Sequence, residues 1–84
     1  MKTIYKYELT GPCEIYIPEY AAVLKCGVQD EKIIIWCLVE TDRPTEKRCF
    51  SIVGTGQFIN DTKKLVYIDT VFIGRFVWHV FEII

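Results

Sequence analysis

The sequence lacks a cluster of basic residues. Its 84 residues carry 10 basic and 11 acidic side chains, for a net charge of -1, and no run of Lys or Arg exceeds two residues. A protein that binds a nucleic acid duplex needs a basic surface that neutralises several phosphates at once. We therefore expect no duplex DNA or RNA among its partners.

We also expect no targeting or membrane-spanning segment. A secretory signal peptide needs an apolar stretch of about 7–15 residues, whereas the opening MKTIYKYELTGP alternates apolar and charged positions. No run approaches the roughly 18 apolar residues that cross a bilayer. We therefore expect a cytoplasmic protein with no membrane partner.

Metal-binding and catalytic motifs are missing too. The chain has one His, and its four cysteines include no Cys-x-x-Cys pair. Because structural zinc usually takes its ligands in close pairs, we expect no metal and no cofactor, and we expect the cysteines to be buried free thiols. Without a paired-carboxylate or Gly-x-Ser-x-Gly motif, we also expect that the protein is not an enzyme. The cysteines are Cys13, Cys26, Cys37 and Cys49.

What the chain does have is apolar residues, which make up 51% of it. Short β-branched and aromatic runs separated by turn residues predict an all-β fold, because apolar spacing with a helical period is nearly absent. We expect a small single-domain sandwich or partly open barrel of about seven mostly antiparallel strands over residues 1–84, with any helix limited to one turn near residues 18–22. The predicted strands are residues 3–9, 14–18, 23–28, 32–39, 47–53, 65–73 and 75–84.

Two of these strands have informative patterns. Residues 32–39 are apolar at both odd and even positions, which predicts a central strand covered on both sides. In the last strand, alternation places Trp78 and His79 on opposite faces. His79 could donate to a ligand or act as a base, but a lone His among apolar neighbours is more often a hydrogen-bonded structural residue.

The segment SIVGTGQF, residues 51–58, contains the second candidate feature. Glycines allow close approach to the backbone, and consecutive N–H groups with a Thr hydroxyl can form an anion-binding concavity. No helix follows, which excludes a Walker loop and a dinucleotide fingerprint. The alternative is that the glycines serve only a β-bulge or the exit from a strand.

Three segments together, MKTIYKYEL, SIVGTGQFI and VWHVFE, resemble a family of small phage and bacterial proteins. Those proteins open with IYKY, carry a Trp in the middle hairpin, and end with a Gly-Thr-Gly turn followed by Trp-His-x-Phe-Glu. This chain departs from the pattern at Val53 and Gln57, where family members often have Tyr and His. Both departures weigh against a catalytic His at the turn.

The resemblance implies a compact cytosolic protein that is often encoded by a phage, and small phage proteins often counter host immunity. We therefore expect a non-enzymatic homo-oligomer that sequesters a nucleotide immune signal. In this hypothesis the turn holds phosphate or ribose, Arg75 adds charge, and Tyr67 or Trp78 stacks a base. The alternatives are an inhibitor or adaptor that binds a host or phage protein, or a structural phage component. The candidate ligand-binding residues are Gly54, Thr55, Gly56, Gln57, Tyr67, Arg75, Trp78 and His79.

Overall fold

Alternating apolar residues and frequent turn residues produce seven antiparallel strands. The computed structural model describes residues 1–84, and no predicted strand end lies more than two residues from the observed one. The predicted all-β class is confirmed. The strands are β1 (Lys2–Leu9), β2 (Cys13–Pro18), β3 (Ala22–Gln29), β4 (Lys32–Glu40), β5 (Thr45–Gly54), β6 (Leu65–Ile73) and β7 (Phe76–Ile83).

The strands form two open sheets. Sheet A has the order β1-β4-β3, and sheet B has the order β2-β5-β7-β6. The sheets pack face to face, with β3 against β6 and β2 against β4. The prediction allowed a sandwich or a partly open barrel, and the two separate sheets make the fold a sandwich.

The core lies between the sheets and follows from strand alternation, since every second residue points inward. Phe50, Ile17, Ile35 and Val80 are fully buried there. Burying one such side chain stabilises the fold by about 1.5–3 kcal/mol. The inward-facing residues of β2, β4, β5 and β7 therefore hold the two sheets together.

The central position of β4 in sheet A is confirmed, but only one of its faces packs on another sheet. On the outer face Ile34 is nonetheless buried, and the Trp36 ring lies over Gly27, where an added Cβ would be 3.5 Å from it. The prediction that β4 is covered on both sides was wrong in that no other sheet packs on its outer face. Side chains within sheet A provide that cover instead.

The turns explain where the chain reverses. Asp30 and Glu31 both have positive φ, 53° and 62°, which is the geometry of a two-residue hairpin turn. Near residues 18–22 the chain makes a turn in place of a helix, with the Ala21 N–H donating to the Pro18 carbonyl at 3.3 Å. No helix in the structure is long and apolar enough to cross a membrane.

All four cysteines are free thiols. Cys26 and Cys37 are buried as predicted, whereas Cys13 and Cys49 are only half-buried. Burial raises the pKa of Cys26 to about 11, with a smaller contribution from the negative charge of Asp69. The Cys26 thiol is therefore held in its neutral form.

One ion pair lies between the sheets. The Arg48 Nε and Nη2 atoms donate to the two Glu82 carboxylate oxygens at 2.6 and 2.7 Å, and Nη1 donates to the Ala21 carbonyl at 2.6 Å. Both side chains are only 16% exposed. The hydrogen bond to Glu82 raises the pKa of Arg48, while burial alone would lower it.

Candidate functional site

The outer face of sheet B, across β5, β7 and β6, carries most of the polar side chains predicted to bind a ligand. Strand register places its outward residues in rows. The middle row is Val53, His79 and Thr70, the row on one side is Ser51, Phe81 and Tyr67, and the row on the other is Val77 and Phe72. We call these three rows together the outer face. The middle row, with Thr55 from the adjoining turn, is called the polar row.

His79 is hydrogen-bonded through both of its ring nitrogens. Nε2 lies 2.8 Å from the Thr55 hydroxyl, and Nδ1 lies 3.0 Å from the Thr70 hydroxyl. The Tyr67 hydroxyl extends the chain, 2.6 Å from that of Thr70. A neutral imidazole donates from one nitrogen and accepts at the other, and hydroxyls can complement either role. His79 therefore joins the Gly-Thr-Gly turn to β6, as expected of a structural histidine.

The Thr55–His79 pair has the spacing of a nucleophile and its base. In a catalytic triad, a carboxylate orients the His, and N–H donors stabilise the oxyanion. Here the Thr70 hydroxyl stands in the orienting position, while the Asp69 carboxylate accepts from the Thr70 N–H at 2.8 Å. The pair thus lacks the partners that would make Thr55 a strong nucleophile.

The turn uses most of its own N–H groups. The Gly54 N–H donates to the Gln57 side-chain oxygen at 2.8 Å, and the Gln57 N–H donates to the Gly54 carbonyl at 3.0 Å. The Thr55 N–H donates to the Val77 carbonyl at 3.3 Å. Only the Gly56 N–H is left to face a ligand, so the turn provides a poor anion-binding concavity.

Local geometry explains both glycines of the turn. Gly56 has a φ of 90°, which favours glycine. At Gly54 an added Cβ would lie 3.2 Å from the Trp78 ring and from the Gln57 side chain. Packing of the turn on Trp78 therefore favours glycine at position 54, and the backbone conformation favours it at position 56, whether or not a ligand binds.

The remaining predicted residues lie elsewhere. Trp78 points inward, opposite His79 as predicted, and packs against the core. It lines a cleft of about 340 Å³ at the end of the sandwich where β1 ends and β4 begins, next to Leu9 and Ile33. Arg75 lies in the exposed two-residue turn between β6 and β7 and forms no ion pair. Trp78 therefore cannot stack a base that also contacts His79.

The sequence analysis missed Thr70 and Phe72. Alternation along β6 puts these two residues on one face, a signal that could have identified them. Tyr67 joins that face only because a bulge at residue 68 breaks the register between Tyr67 and Asp69. Simple alternation would have placed Tyr67 on the opposite side from Thr70.

A second, smaller cleft borders the turn. It has a volume of about 260 Å³ and lies between β5 and residues 57–63, with Ser51, Gln57 and Lys63 among its polar lining residues. Phe58, at its edge, is fully exposed. No group of three or more His, Cys, Asp or Glu side chains is arranged to hold a metal ion.

Comparison with known proteins identifies one family. The chain belongs to the family described as a domain of unknown function, DUF7352, whose model matches residues 1–84. No curated protein and no solved structure matches the chain. The matched residues include all strands of both sheets.

Proposed function

We propose that this member of the DUF7352 family is a non-catalytic binding domain that docks on another protein through the outer face of sheet B. One observation carries the proposal. Large aromatic side chains stay exposed on both sides of the polar row, with Phe72 at 67% and Tyr67 at 57% exposure. Aromatic residues are enriched at protein-binding surfaces relative to the rest of a protein's surface.

The hydrogen bonds within the outer face favour this kind of partner. The hydroxyls of Thr55, Thr70 and Tyr67 and a neutral His79 ring have four donor hydrogens, and the three hydrogen bonds between them use three. A partner that covers these groups therefore has to accept only one hydrogen bond from them. The Phe72 and Tyr67 rings then supply the apolar contact area. The outer face is thus prepared to be covered.

Charges at the ends of β6 indicate the chemistry of the partner. Lys63 and Lys64 precede this strand and Arg75 follows it, while Asp69 pairs with the core residue Val80 and so points inward. The rim next to the aromatic rows is therefore basic. A partner surface with an apolar centre and carboxylates at its edges complements it.

The resemblance to small phage and bacterial proteins guides the search for this partner. We look for it among the proteins of a bacterial host or of a phage. Binding to such a protein would make this domain an inhibitor or an adaptor, without any chemical step of its own.

A nucleotide is the second candidate ligand, and the cleft beside the turn favours it. The Lys63 ammonium group could pair with a phosphate there, and the Gln57 amide could bond to a base or ribose. The cleft is large enough to admit part of a nucleotide. In this alternative the domain would sequester a nucleotide signal.

Two exposed phenylalanines of the β6–β7 hairpin provide a matched test of protein docking. Phe72 lies on the outer face and Phe76 on the inner one, at 67% and 63% exposure. The immobilised domain captures candidates from a bacterial lysate, and each identified protein is then purified and titrated by calorimetry. We expect Phe72→Ala to weaken binding about tenfold or more, because a few large side chains usually carry most of the binding energy of an interface. Phe76→Ala should bind as the parent does.

Equal binding by the parent and Phe72→Ala would overturn docking through the outer face, as would failure of every purified candidate to bind. The nucleotide alternative is tested by thermal shift with a panel of cyclic and linear nucleotides. A rise in melting temperature that is lost in Lys63→Ala would support that alternative. No shift at millimolar nucleotide would eliminate it.

A further inference from the structure

The four edge strands of the sandwich differ in how they are protected from pairing with another chain. In sheet A, β3 carries a bulge between Val23 and Lys25, and in sheet B, β6 carries one between Tyr67 and Asp69. The β2 edge has six residues and ends at Pro18, which lacks an N–H donor. Bulges, prolines, short length and charged side chains such as lysine are the usual ways to block an edge. Of these β1 has only the charged side chains, Lys2, Lys6 and Glu8.

The exposed edge of β1 is regular over its whole length. All eight residues pair with β4 in unbroken register, from Lys2 opposite Glu40 to Leu9 opposite Ile33. The Thr41 N–H donates to the Met1 carbonyl at 2.9 Å, which fixes the direction of the backbone groups. Because these groups alternate along a strand, odd-numbered residues bond to β4 and even-numbered residues point to the free edge. The free backbone groups are those of Lys2, Ile4, Lys6 and Glu8.

The side chains along this edge determine which partner strand fits. Ile4 and Tyr5 are 54% and 42% exposed. Lys2 lies at one end of the strand and Glu8 near the other, with Lys6 two residues before Glu8, and all three are on the outer face. A strand with this order of charges is complementary to a second copy of itself running in the opposite direction.

We propose that β1 pairs antiparallel with β1 of a second copy, with Tyr5 opposite Tyr5, so that two copies of sheet A form one continuous six-stranded sheet. In this register Lys2 faces Glu8 of the second copy, twice by symmetry, and Ile4 faces Lys6. A register centred on Ile4 would place Lys2 opposite Lys6, and one centred on Lys6 would place Lys6 opposite itself. Like charges directly opposite each other are destabilising. A register centred on Tyr7 would place Lys6 opposite Glu8 but would pair only residues 5–9 of each strand, whereas the register centred on Tyr5 pairs residues 2–8 and is therefore favoured.

The interface leaves the outer face of sheet B free, because β1 belongs to the other sheet. Glu8 also lies 3.8 Å from Lys32 of its own chain, but that contact is exposed and therefore weak. The dimer thus presents two copies of the proposed docking surface. Its formation does not depend on what the outer face binds.

The mass of the protein in solution tests the pairing. Analytical ultracentrifugation from micromolar to millimolar concentration should show association to twice the 9.8 kDa of one chain. Ile4→Pro removes an N–H that points to the free edge and bonds to nothing within the chain, so we expect a folded monomer. A parent that stays monomeric throughout, or an Ile4→Pro variant that still dimerises, would overturn the proposal.

Charge exchange tests the register. Lys2→Glu and Glu8→Lys each create two like-charge pairs, and we expect each to raise the dimer dissociation constant about tenfold. The double variant restores opposite charges and should dimerise as the parent does. Glu14→Lys, on sheet B, is the control and should leave the mass unchanged. A double variant no better than either single variant would exclude this register.

Crosslinking gives an independent measure of the same geometry. In a Cys13→Ser, Cys49→Ser background, Tyr5→Cys places two cysteines directly opposite each other across the interface, and oxidation should join them. Thr3→Cys, two residues away on the same face, lies opposite Tyr7 and should not crosslink. Equal crosslinking at the two positions would contradict pairing centred on Tyr5.

Discussion

Two polar networks occur in this sandwich, and they differ in burial and charge. Between the sheets, Arg48 donates two short hydrogen bonds to Glu82 and a third to the Ala21 carbonyl. On the outer face, His79 joins Thr55 to Thr70 through neutral hydroxyls that are partly open to water. Both networks connect residues that are far apart in the chain.

The difference in environment gives the two networks different roles. A charge in the interior is tolerated only when its hydrogen bonds are complete, so the inner pair has to be intact for the fold to be stable. Neutral groups near water lose little when one bond is broken, because water replaces the partner. The inner network therefore supports the fold, whereas the outer one mainly orders the surface that we propose for docking.

The largest expected effect is at the inner pair. Glu82→Ala leaves the Arg48 guanidinium buried without its carboxylate, and we expect the free energy of unfolding to fall by about 3 kcal/mol. The measurement is urea denaturation followed by tryptophan fluorescence. Replacing both partners, Arg48→Met with Glu82→Leu, should recover most of the loss. A fall below about 1 kcal/mol in the single variant would show that the pair does not support the fold.

An intermediate effect is expected at the buried thiol of Cys26, which lies near Asp69. The pKa of Cys26 is raised from 9.0 to about 11, so the unfolded chain loses this proton first as pH increases. The contribution of Cys26 is complete below pH 9 and is lost between pH 9 and 11, by about 2 kcal/mol in total. Denaturation series over this range should show a shallower decline for Cys26→Ala. Identical slopes would mean that the thiol is not shielded.

The smallest expected effect is on the outer face. His79→Ala removes two hydrogen bonds from groups that can turn to water, and we expect a loss of about 1 kcal/mol. The clearer change should be faster amide hydrogen exchange at Thr55 and Gln57, measured by NMR, because the turn loses its attachment to β6. Thr55→Val breaks the same attachment at the turn and should give a similar increase. Unchanged exchange in His79→Ala would indicate that other contacts hold the turn.

The fold was largely predictable because every strand carries a local signal. Alternation and turn residues located all seven strands, and alternation also separated Trp78 from His79. The cover over β4 was mistaken, because an apolar outer face can also be covered by its own neighbours, as Ile34 and Trp36 are. Sequence pattern measures which faces are apolar and does not identify what covers them.

The candidate site was less predictable. Thr55, Tyr67 and His79 were named from the sequence, but Thr70, which connects Tyr67 to His79, was not. The partner of Arg48 was also missed, since Glu82 is 34 residues away and no local pattern relates the two. Whether two distant residues can form a hydrogen bond depends on the strand order, and several strand orders are compatible with the same seven strands.

The sequence by itself determined the β class, the number of strands and the face on which most side chains lie, because these follow from contacts between residues close in the chain. The tertiary structure decided the strand order, and with it which edges are free and which side chains meet. The bulge at residue 68 is the clearest case, since it turns Tyr67 to the same face as Thr70. The extra residue in β6 therefore brings Tyr67 into the outer face beside Thr70.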